Sequence, residues 1–177
     1  MSVERLLNES EYEQFVWAHP DSWWELLHGR LREKPGSTWE KGCLAAWLAY
    51  LLHDRLDHRQ FRVSINLWRV SLPNPTIFIP DLVVVPTAYG RDFAGRPDKL
   101  AIFSDPVPLV VEFWSIVSPD YDTATKLPVY QQRGDLEIWF IHPYEQTVTA
   151  QVRQPDGRYL EAVYHDGIVK PSAYQTS

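Results

Sequence analysis

Cysteine is almost absent from this chain of 177 residues. Cys43 is the only one, so no internal disulfide can form. A chain of this length can bury a substantial core without covalent crosslinks. We therefore expect one domain over residues 1–177 and a reducing, cytoplasmic environment.

Long apolar segments are also lacking. No stretch approaches the roughly 20 apolar residues that a membrane span requires. Residues 1–5 lack the basic start and apolar segment of a secretory signal peptide. We expect no membrane partner and no export.

An excess of basic charge is missing as well. Lysine and arginine number 17 against 23 acidic residues, for a formal net charge of −6. The whole molecule therefore offers no attraction for nucleic acid, and a polyanion would have to meet a local basic patch or a metal ion. Aromatic residues, in contrast, are abundant, with eight tryptophans and nine tyrosines.

The first third of the chain carries helix and hairpin signals. Two sequences with capping-box spacing, Ser10–Glu13 and Ser37–Glu40, predict helices that run to about His19 and His58. Between them, the dipeptide His28-Gly29 predicts the turn of a β-hairpin. The predicted buried face of the second helix comprises Leu44, Trp47, Leu48, Leu51 and Leu52.

The remaining two thirds are mainly strands. Apolar runs at Ile77–Val85, Pro108–Ser115 and Leu136–His142 predict buried strands, with a loop from about Thr87 to Asp105. A helix over Lys126–Gln132, capped by Asp122 or Thr123 and ended by Gly134, should lie between the last two runs. The order of elements predicts an α/β or α+β fold, with a mixed central sheet flanked by helices.

Two of these apolar runs are each interrupted by one acidic residue, Asp81 in the first and Glu112 in the second. Burying an isolated carboxylate is costly unless the group is protonated, paired or bound to metal. Magnesium in proteins takes one or two carboxylates and keeps several waters. The pattern predicts that Asp81 and Glu112 share a divalent cation, Mg²⁺ or Mn²⁺, at the edge of the core sheet.

A basic residue follows this acidic pair. Lys126 begins the next predicted helix and is a candidate for stabilising the charge that develops in a phosphoryl-transfer transition state. Each residue also has an ordinary structural interpretation. Asp81 could be a turn residue or a cap, Glu112 could pair with an arginine, and Lys126 could be a solvated surface residue.

The order of these motifs resembles the Uma-type putative restriction endonucleases, a bacterial family of the PD-(D/E)XK nuclease superfamily. The matching segments are Trp24–Leu31, Pro80–Val85, Val111–Ser115, Tyr121–Asp122, Lys126–Tyr130, Gly134 and Glu137–Phe140. The resemblance implies a restriction-endonuclease-like core with an N-terminal β-hairpin.

The resemblance also implies roles for individual residues. Asp81 and Glu112 would be metal ligands, and Lys126 would stand in for the lysine that the superfamily usually places two positions after the glutamate, where this chain has Trp114. Glu25 matches the family's N-terminal glutamate and would reach the same catalytic site. Its alternative interpretation is a hairpin residue that faces solvent or pairs with Arg30.

The chain departs from the family pattern at a few positions. Trp114 is bulkier than the usual aliphatic residue, Glu40 replaces a histidine, and His142 replaces an aspartate. None of these changes removes an expected ligand.

The leading functional hypothesis is a Mg²⁺-dependent endonuclease that hydrolyses DNA phosphodiester bonds. Two alternatives remain. One is a catalytically silent nuclease fold that serves as an interaction or oligomerisation module, in which the chain forms a homodimer or a higher homo-oligomer. The other is a phosphohydrolase that acts on small molecules. A basic rim around the carboxylates would favour the nuclease. The candidates for that rim are Arg62, Arg69, Arg91, Arg96 and Lys99.

Overall fold

The computed structural model of the protein describes residues 5–117 and 119–165, which form two β-sheets and three α-helices. The helices are α1 (Glu9–Ala18), α2 (Trp39–Arg55) and α3 (Leu127–Arg133). The strands are β1 (Trp24–Leu27), β2 (Arg30–Glu33), β3 (Phe61–Ile65), β4 (Arg69–Leu72), β5 (Thr76–Phe78), β6 (Leu82–Pro86), β7 (Ile102–Phe103), β8 (Leu109–Phe113), β9 (Glu137–His142), β10 (Thr147–Arg153) and β11 (Tyr159–Tyr164).

Both sheets are mixed. The smaller sheet has the order β2-β1-β5-β4-β7, and the larger sheet has the order β11-β10-β9-β8-β6-β3. Strands β4 and β7 are parallel, as are β8 and β9, whereas the other pairs are antiparallel. The predicted mixed α+β fold with its N-terminal hairpin β1–β2 is confirmed, but its strands are divided between two sheets.

The larger sheet is covered on both faces, which explains why its strands are so uniformly apolar. On one face, Leu82, Val84 and Val111 pack with residues of α2. On the other face, Val83 and Val110 pack with residues of α3 and of the smaller sheet. Any acidic side chain on this second face is therefore enclosed between the two sheets.

The ends of the first two helices differ in detail from the prediction. The capping box of α1 is formed by Asn8 and Glu11, so it starts two residues before the predicted Ser10. Helix α2 begins after its cap Thr38, one residue later than the predicted cap Ser37, and it ends at Arg55 rather than at about His58. Trp47, however, is 60% exposed, because the stripe that faces the sheet runs through Ala45 and Leu52 instead.

The sequence predicted a single strand over Ile77–Val85, but this run forms two strands. Strand β5 ends at Phe78 in the smaller sheet and β6 begins at Leu82 in the larger one. The residues between them carry the chain from one sheet to the other, and Pro80 has no N–H to continue a strand ladder. Asp81 therefore lies at the junction of the two sheets. The predicted loop Thr87–Asp105 also contains a 3₁₀ helix, Thr87–Asp92, and β7.

Helix α3 follows directly on a π-helical turn, Asp122–Lys126. Asp122 does not cap it, contrary to the prediction, because its side chain is buried and faces Lys126. Gly134 ends α3 in the left-handed conformation with φ of 79°, as predicted. Within the described ranges, no helix has the length and apolar character needed to cross a membrane.

Candidate active site

Asp81 and Glu112 lie opposite each other on neighbouring strands. In the antiparallel pair β6–β8, Leu82 is opposite Val111 and Val83 is opposite Val110. Extending this register by one residue places Asp81 opposite Glu112, on the same face of the larger sheet. Both side chains are enclosed, at 0% and 1% exposure.

Asp81 is held by one backbone group and two lysines. The N–H of Phe113 donates to Asp81 Oδ2 at 2.8 Å, and Lys41 Nζ lies 2.7 Å from the same oxygen. Lys34 Nζ lies 2.9 Å from Oδ1, but its hydrogen bonds go to Asn66 Oδ1 and to the carbonyl of Ile79. Each oxygen of Asp81 is thus in an ion pair with a lysine, and Oδ2 also accepts a hydrogen bond from the backbone.

Lys126 joins the other three carboxylates of the site. Its Nζ lies 3.0 Å from Glu112 Oε1, 3.0 Å from Glu25 Oε1 and 3.5 Å from Asp122 Oδ1. The hydroxyl of Tyr130, on α3, donates to the same Glu112 oxygen at 2.5 Å. The expected contact between Lys126 and the acidic pair is therefore present, through Glu112.

Glu25 enters the site from the hairpin. It lies on β1 opposite Arg32, is 1% exposed, and accepts a hydrogen bond from the N–H of Ile79 at 2.9 Å. The alternative that Glu25 faces solvent is therefore wrong. Its contact with Ile79 also holds the chain at the crossing between the sheets.

Burial and charge act differently on the two central carboxylates. Burial alone would raise the pKa of Asp81, but Lys34 and Lys41 beside it hold that pKa well below its usual range. Burial raises the pKa of Glu112 to about 8, because the attraction of Lys126 offsets only part of the desolvation and because Asp81 adds repulsion. The pair thus combines a strongly ionised carboxylate with one that binds a proton near neutral pH.

Lys126 is a permanent cation at this site. Burial would lower the pKa of its ammonium, but four carboxylates, with Glu112 and Glu25 first, raise that pKa well above the ordinary value. Burial and the nearby Glu112 likewise keep the pKa of the Tyr130 hydroxyl well above its usual range. Lys126 can therefore supply positive charge but is unsuited to act as a base.

Four residues of this cluster were not assigned to the site from the sequence: Lys34, Lys41, Asp122 and Tyr130. Only Asp122 had a usable signal, since it stands four residues before Lys126 and such residues are neighbours on a helix. Lys34 follows β2 and Lys41 lies in the first turn of α2, far from Asp81 in the sequence. Their approach depends on how the hairpin and α2 pack against the sheets.

The charge balance of the cluster depends on Glu112. Four carboxylates (Glu25, Asp81, Glu112 and Asp122) meet three ammonium groups (Lys34, Lys41 and Lys126), so the cluster has an excess negative charge only when Glu112 has lost the proton that its raised pKa of about 8 retains. Among the described residues, no three His, Cys, Asp or Glu side chains gather in a metal-holding group. Two opposed carboxylates nevertheless fit an ion that keeps most of its waters.

The predicted basic rim is not found around these carboxylates. Arg69 is buried and donates to the hydroxyl of Tyr12 and the carbonyl of Leu67. Arg62 pairs in register with Val85, toward the end of β6 that is remote from Asp81. The cations nearest to the acidic pair are instead the three lysines.

Comparison with known proteins agrees with this architecture. Residues 9–175 match the model of the Uma2 family, which is described as putative restriction endonuclease. The chain belongs to the Uma2 family. The resemblance inferred from the sequence motifs is thereby confirmed.

A solved structure of similar fold is that of a putative nuclease belonging to DUF820 from Anabaena variabilis. The TM-score is 0.68 with 18% sequence identity, and the match covers 85% of this chain and 82% of that one. At this identity the likeness establishes the fold alone. None of the curated proteins compared with this Uma2 chain matches it.

Proposed function

We propose that this protein is an endonuclease that hydrolyses DNA phosphodiester bonds with the help of Mg²⁺ or Mn²⁺. The observation that carries the proposal is the opposed pair of buried carboxylates, Asp81 and Glu112. Two carboxylates buried side by side repel each other, which is costly for a purely structural site. Membership of the Uma2 family supports the choice of substrate class.

Asp81 and Glu112 would hold the metal ion. A divalent ion bound there supplies Lewis acidity, which polarises a phosphoryl oxygen and lowers the pKa of a bound water. Asp81 is the better prepared ligand, because its carboxylate is ionised. Glu112 must give up its proton near neutral pH before it can act as a ligand.

Lys126 would act on the substrate through its charge. Its ammonium lies between Glu25 and Glu112 and stays protonated, so it can stabilise the negative charge that develops on the phosphoryl group. Glu25 has a positioning role in this scheme, because it holds both Lys126 and the backbone of Ile79. Tyr130 fixes the orientation of the Glu112 carboxylate.

A catalytically silent fold is the second candidate, favoured by one specific observation. The carboxylates are enclosed and paired with lysines, and Pro35 and Gly36 of the connection between β2 and α2 also line the site. A substrate phosphate must pass this connection to reach Asp81. The small size of the enclosed space likewise suits the third candidate, a phosphohydrolase for small molecules.

A cleavage assay separates these candidates. Purified protein is incubated with plasmid DNA and with single-stranded oligonucleotides, in the presence of Mg²⁺, Mn²⁺ or a chelator. We expect cleavage that the chelator abolishes, and loss of cleavage in Asp81→Asn and Glu112→Gln. The matched control is Asp135→Asn, which alters a buried carboxylate of a different ion pair. It should lower stability, but at a temperature at which it stays folded it should keep activity.

Each other result has a clear meaning. Cleavage that persists in Glu112→Gln would point to a contaminating nuclease. Absence of both cleavage and metal binding in the wild type would refute the proposal and favour the silent fold. Hydrolysis of small phosphodiesters without cleavage of DNA would favour the third candidate.

A further inference from the structure

A groove borders the candidate active site on the same face of the larger sheet. Glu112 and Phe140 are register partners on β8 and β9, and Phe140 is in turn paired with Thr149 on β10. Trp114 comes two residues after Glu112, which puts its side chain on this face too. Asp122 lines both the active site and the groove, so the two adjoin each other at this residue.

The groove combines aromatic rings with uncharged and acidic groups. Its volume is about 500 Å³, including the part open to solvent, and neither lysine nor arginine occurs among the described residues that line it. Its lining includes Trp114, Phe140, His142, Thr147 and Thr149, with the carboxylates of Asp122 and Glu145. Such a lining does not suit a phosphate group, which would meet carboxylates without a compensating basic side chain.

The rings form a ready stacking platform. Trp114 and His142 lie with their centroids 4.4 Å apart and their planes 32° from parallel, and Tyr144 meets Trp114 edge-on at 5.8 Å. The N–H of Glu145 donates to His142 Nδ1 at 3.1 Å. That nitrogen is therefore an acceptor, which places the hydrogen of a neutral imidazole on Nε2. An uncharged pair of flat rings offers stacking to another flat, uncharged ring.

We infer that this groove binds an unpaired nucleobase of a DNA strand, one that carries an exocyclic amino group, next to the phosphate that is cleaved. Stacking on the Trp114–His142 pair would hold the base, as aromatic side chains do in single-strand binding proteins. The exposed carboxylate of Glu145 can accept a hydrogen bond from an amino group of cytosine or adenine, which thymine lacks. The inference rests on the proposed nuclease function for its choice of ligand.

Equilibrium binding without cleavage tests the inference. Fluorescence anisotropy is measured in Ca²⁺ and, separately, in chelator, with labelled oligodeoxycytidine, oligodeoxythymidine and an abasic strand of the same length. We expect the cytidine strand to bind more tightly than the thymidine strand, and the abasic strand to bind most weakly. Trp114→Leu should weaken binding of the cytidine strand by about tenfold or more, the scale of losing one stacked base.

Two further variants make the test decisive. Trp47→Leu removes an exposed tryptophan that lies outside the groove, and it should leave binding unchanged. Trp114→Phe keeps an aromatic ring and should restore much of the binding lost in Trp114→Leu. Equal affinity for the cytidine and abasic strands, or no binding to either, would overturn the inference.

The readout is independent of catalysis. Base-dependent binding by a protein that fails to cleave DNA would support the base-binding role of the groove and refute the proposed nuclease activity. Cleavage by a protein that binds abasic and cytidine strands equally would support the proposed nuclease activity and refute the base-binding role of the groove.

Discussion

The protein encloses two networks of charged side chains, and they are built differently. In the first, Arg133 Nε lies 3.0 Å from Asp135 Oδ2, and the N–H of Val107 donates to Asp135 Oδ1 at 2.8 Å. The other two guanidinium nitrogens of Arg133, Nη1 and Nη2, donate to the carbonyls of Ser71, Phe103, Ser104 and Asp105. Arginine and aspartate are both fully enclosed.

In the second network, around Asp81 and Glu112, the groups are less completely satisfied. Asp81 and Glu112 lie opposite each other, and four carboxylates face only three ammonium groups when Glu112 is ionised. Burial raises the pKa of Glu112 to about 8, so its charge depends on pH. The first network connects the two sheets and α3, whereas the second keeps the binding capacity that a metal or substrate needs. The predictions below use this difference.

The largest expected effect concerns stability. Arg133→Met should lower the free energy of unfolding by about 3–5 kcal/mol, because it leaves the buried Asp135 carboxylate without its cation. Urea denaturation measures the loss. The double variant with Asp135→Asn should recover part of it. A loss no greater than that of an average surface substitution would show that this network does not hold the sheets together.

Removing the central cation of the other network should affect the reaction as well as stability, because the buried Glu25 and Glu112 also lose their cation. Lys126→Ala should lower the cleavage rate by about 10²–10³-fold, the scale of losing one donor in the transition state, while metal still binds. Single-turnover kinetics measures the rate. Lys99→Ala is the control, since that lysine lies over the ring of Phe93. An unchanged rate would return Lys126 to a structural role.

Two tyrosines allow a matched comparison. Tyr130 donates to Glu112, and Tyr159 donates to the carbonyl of Asp135 at 2.6 Å. Each change to phenylalanine removes one buried hydrogen bond, worth about 0.5–3 kcal/mol of stability. Only Tyr130→Phe should also change the affinity for Mn²⁺, which isothermal titration calorimetry measures. An equal change in both variants would erase the distinction between the networks.

The last prediction concerns the pH dependence of stability. The pKa of Glu112 is raised from 4.5 to about 8 in the folded protein, so the folded state holds this proton more tightly than the unfolded state does. The resulting stabilisation is fully present below pH 4.5 and is lost as the pH rises through about 8. One proton changes stability by at most about 1.4 kcal/mol per pH unit. In metal-free buffer, Glu112→Gln should become more stable than the wild type by a margin that grows between these limits. Thermal unfolding at several pH values measures it, and a constant margin would contradict the assignment.

Much of the fold was predictable because local patterns determine it. The hairpin turn at His28-Gly29 and the end of α3 at Gly134 depend on few neighbouring residues. The division of Ile77–Val85 between two sheets was not predictable, because apolar periodicity does not reveal which sheet a strand joins. Trp47 was misplaced for a related reason, since either apolar stripe of α2 could have faced the core.

The site shows the same limit. Asp81, Glu112, Lys126 and Glu25 come together as the sequence suggested. Lys34 and Lys41 could not be foreseen, because their contacts with Asp81 depend on the packing of the hairpin and α2. Arg69 was misassigned to a basic rim, because sequence alone does not distinguish a buried arginine from a surface one.

The central claim is that the less satisfied network, and not the satisfied one, binds a divalent metal. Calorimetric titration of chelator-treated protein with Mn²⁺ tests it most directly, with Asp81→Asn compared against Asp135→Asn. We predict that the wild type and Asp135→Asn bind Mn²⁺ and that Asp81→Asn does not. Binding that survives in Asp81→Asn, or that is absent from the wild type at millimolar Mn²⁺, would contradict the account.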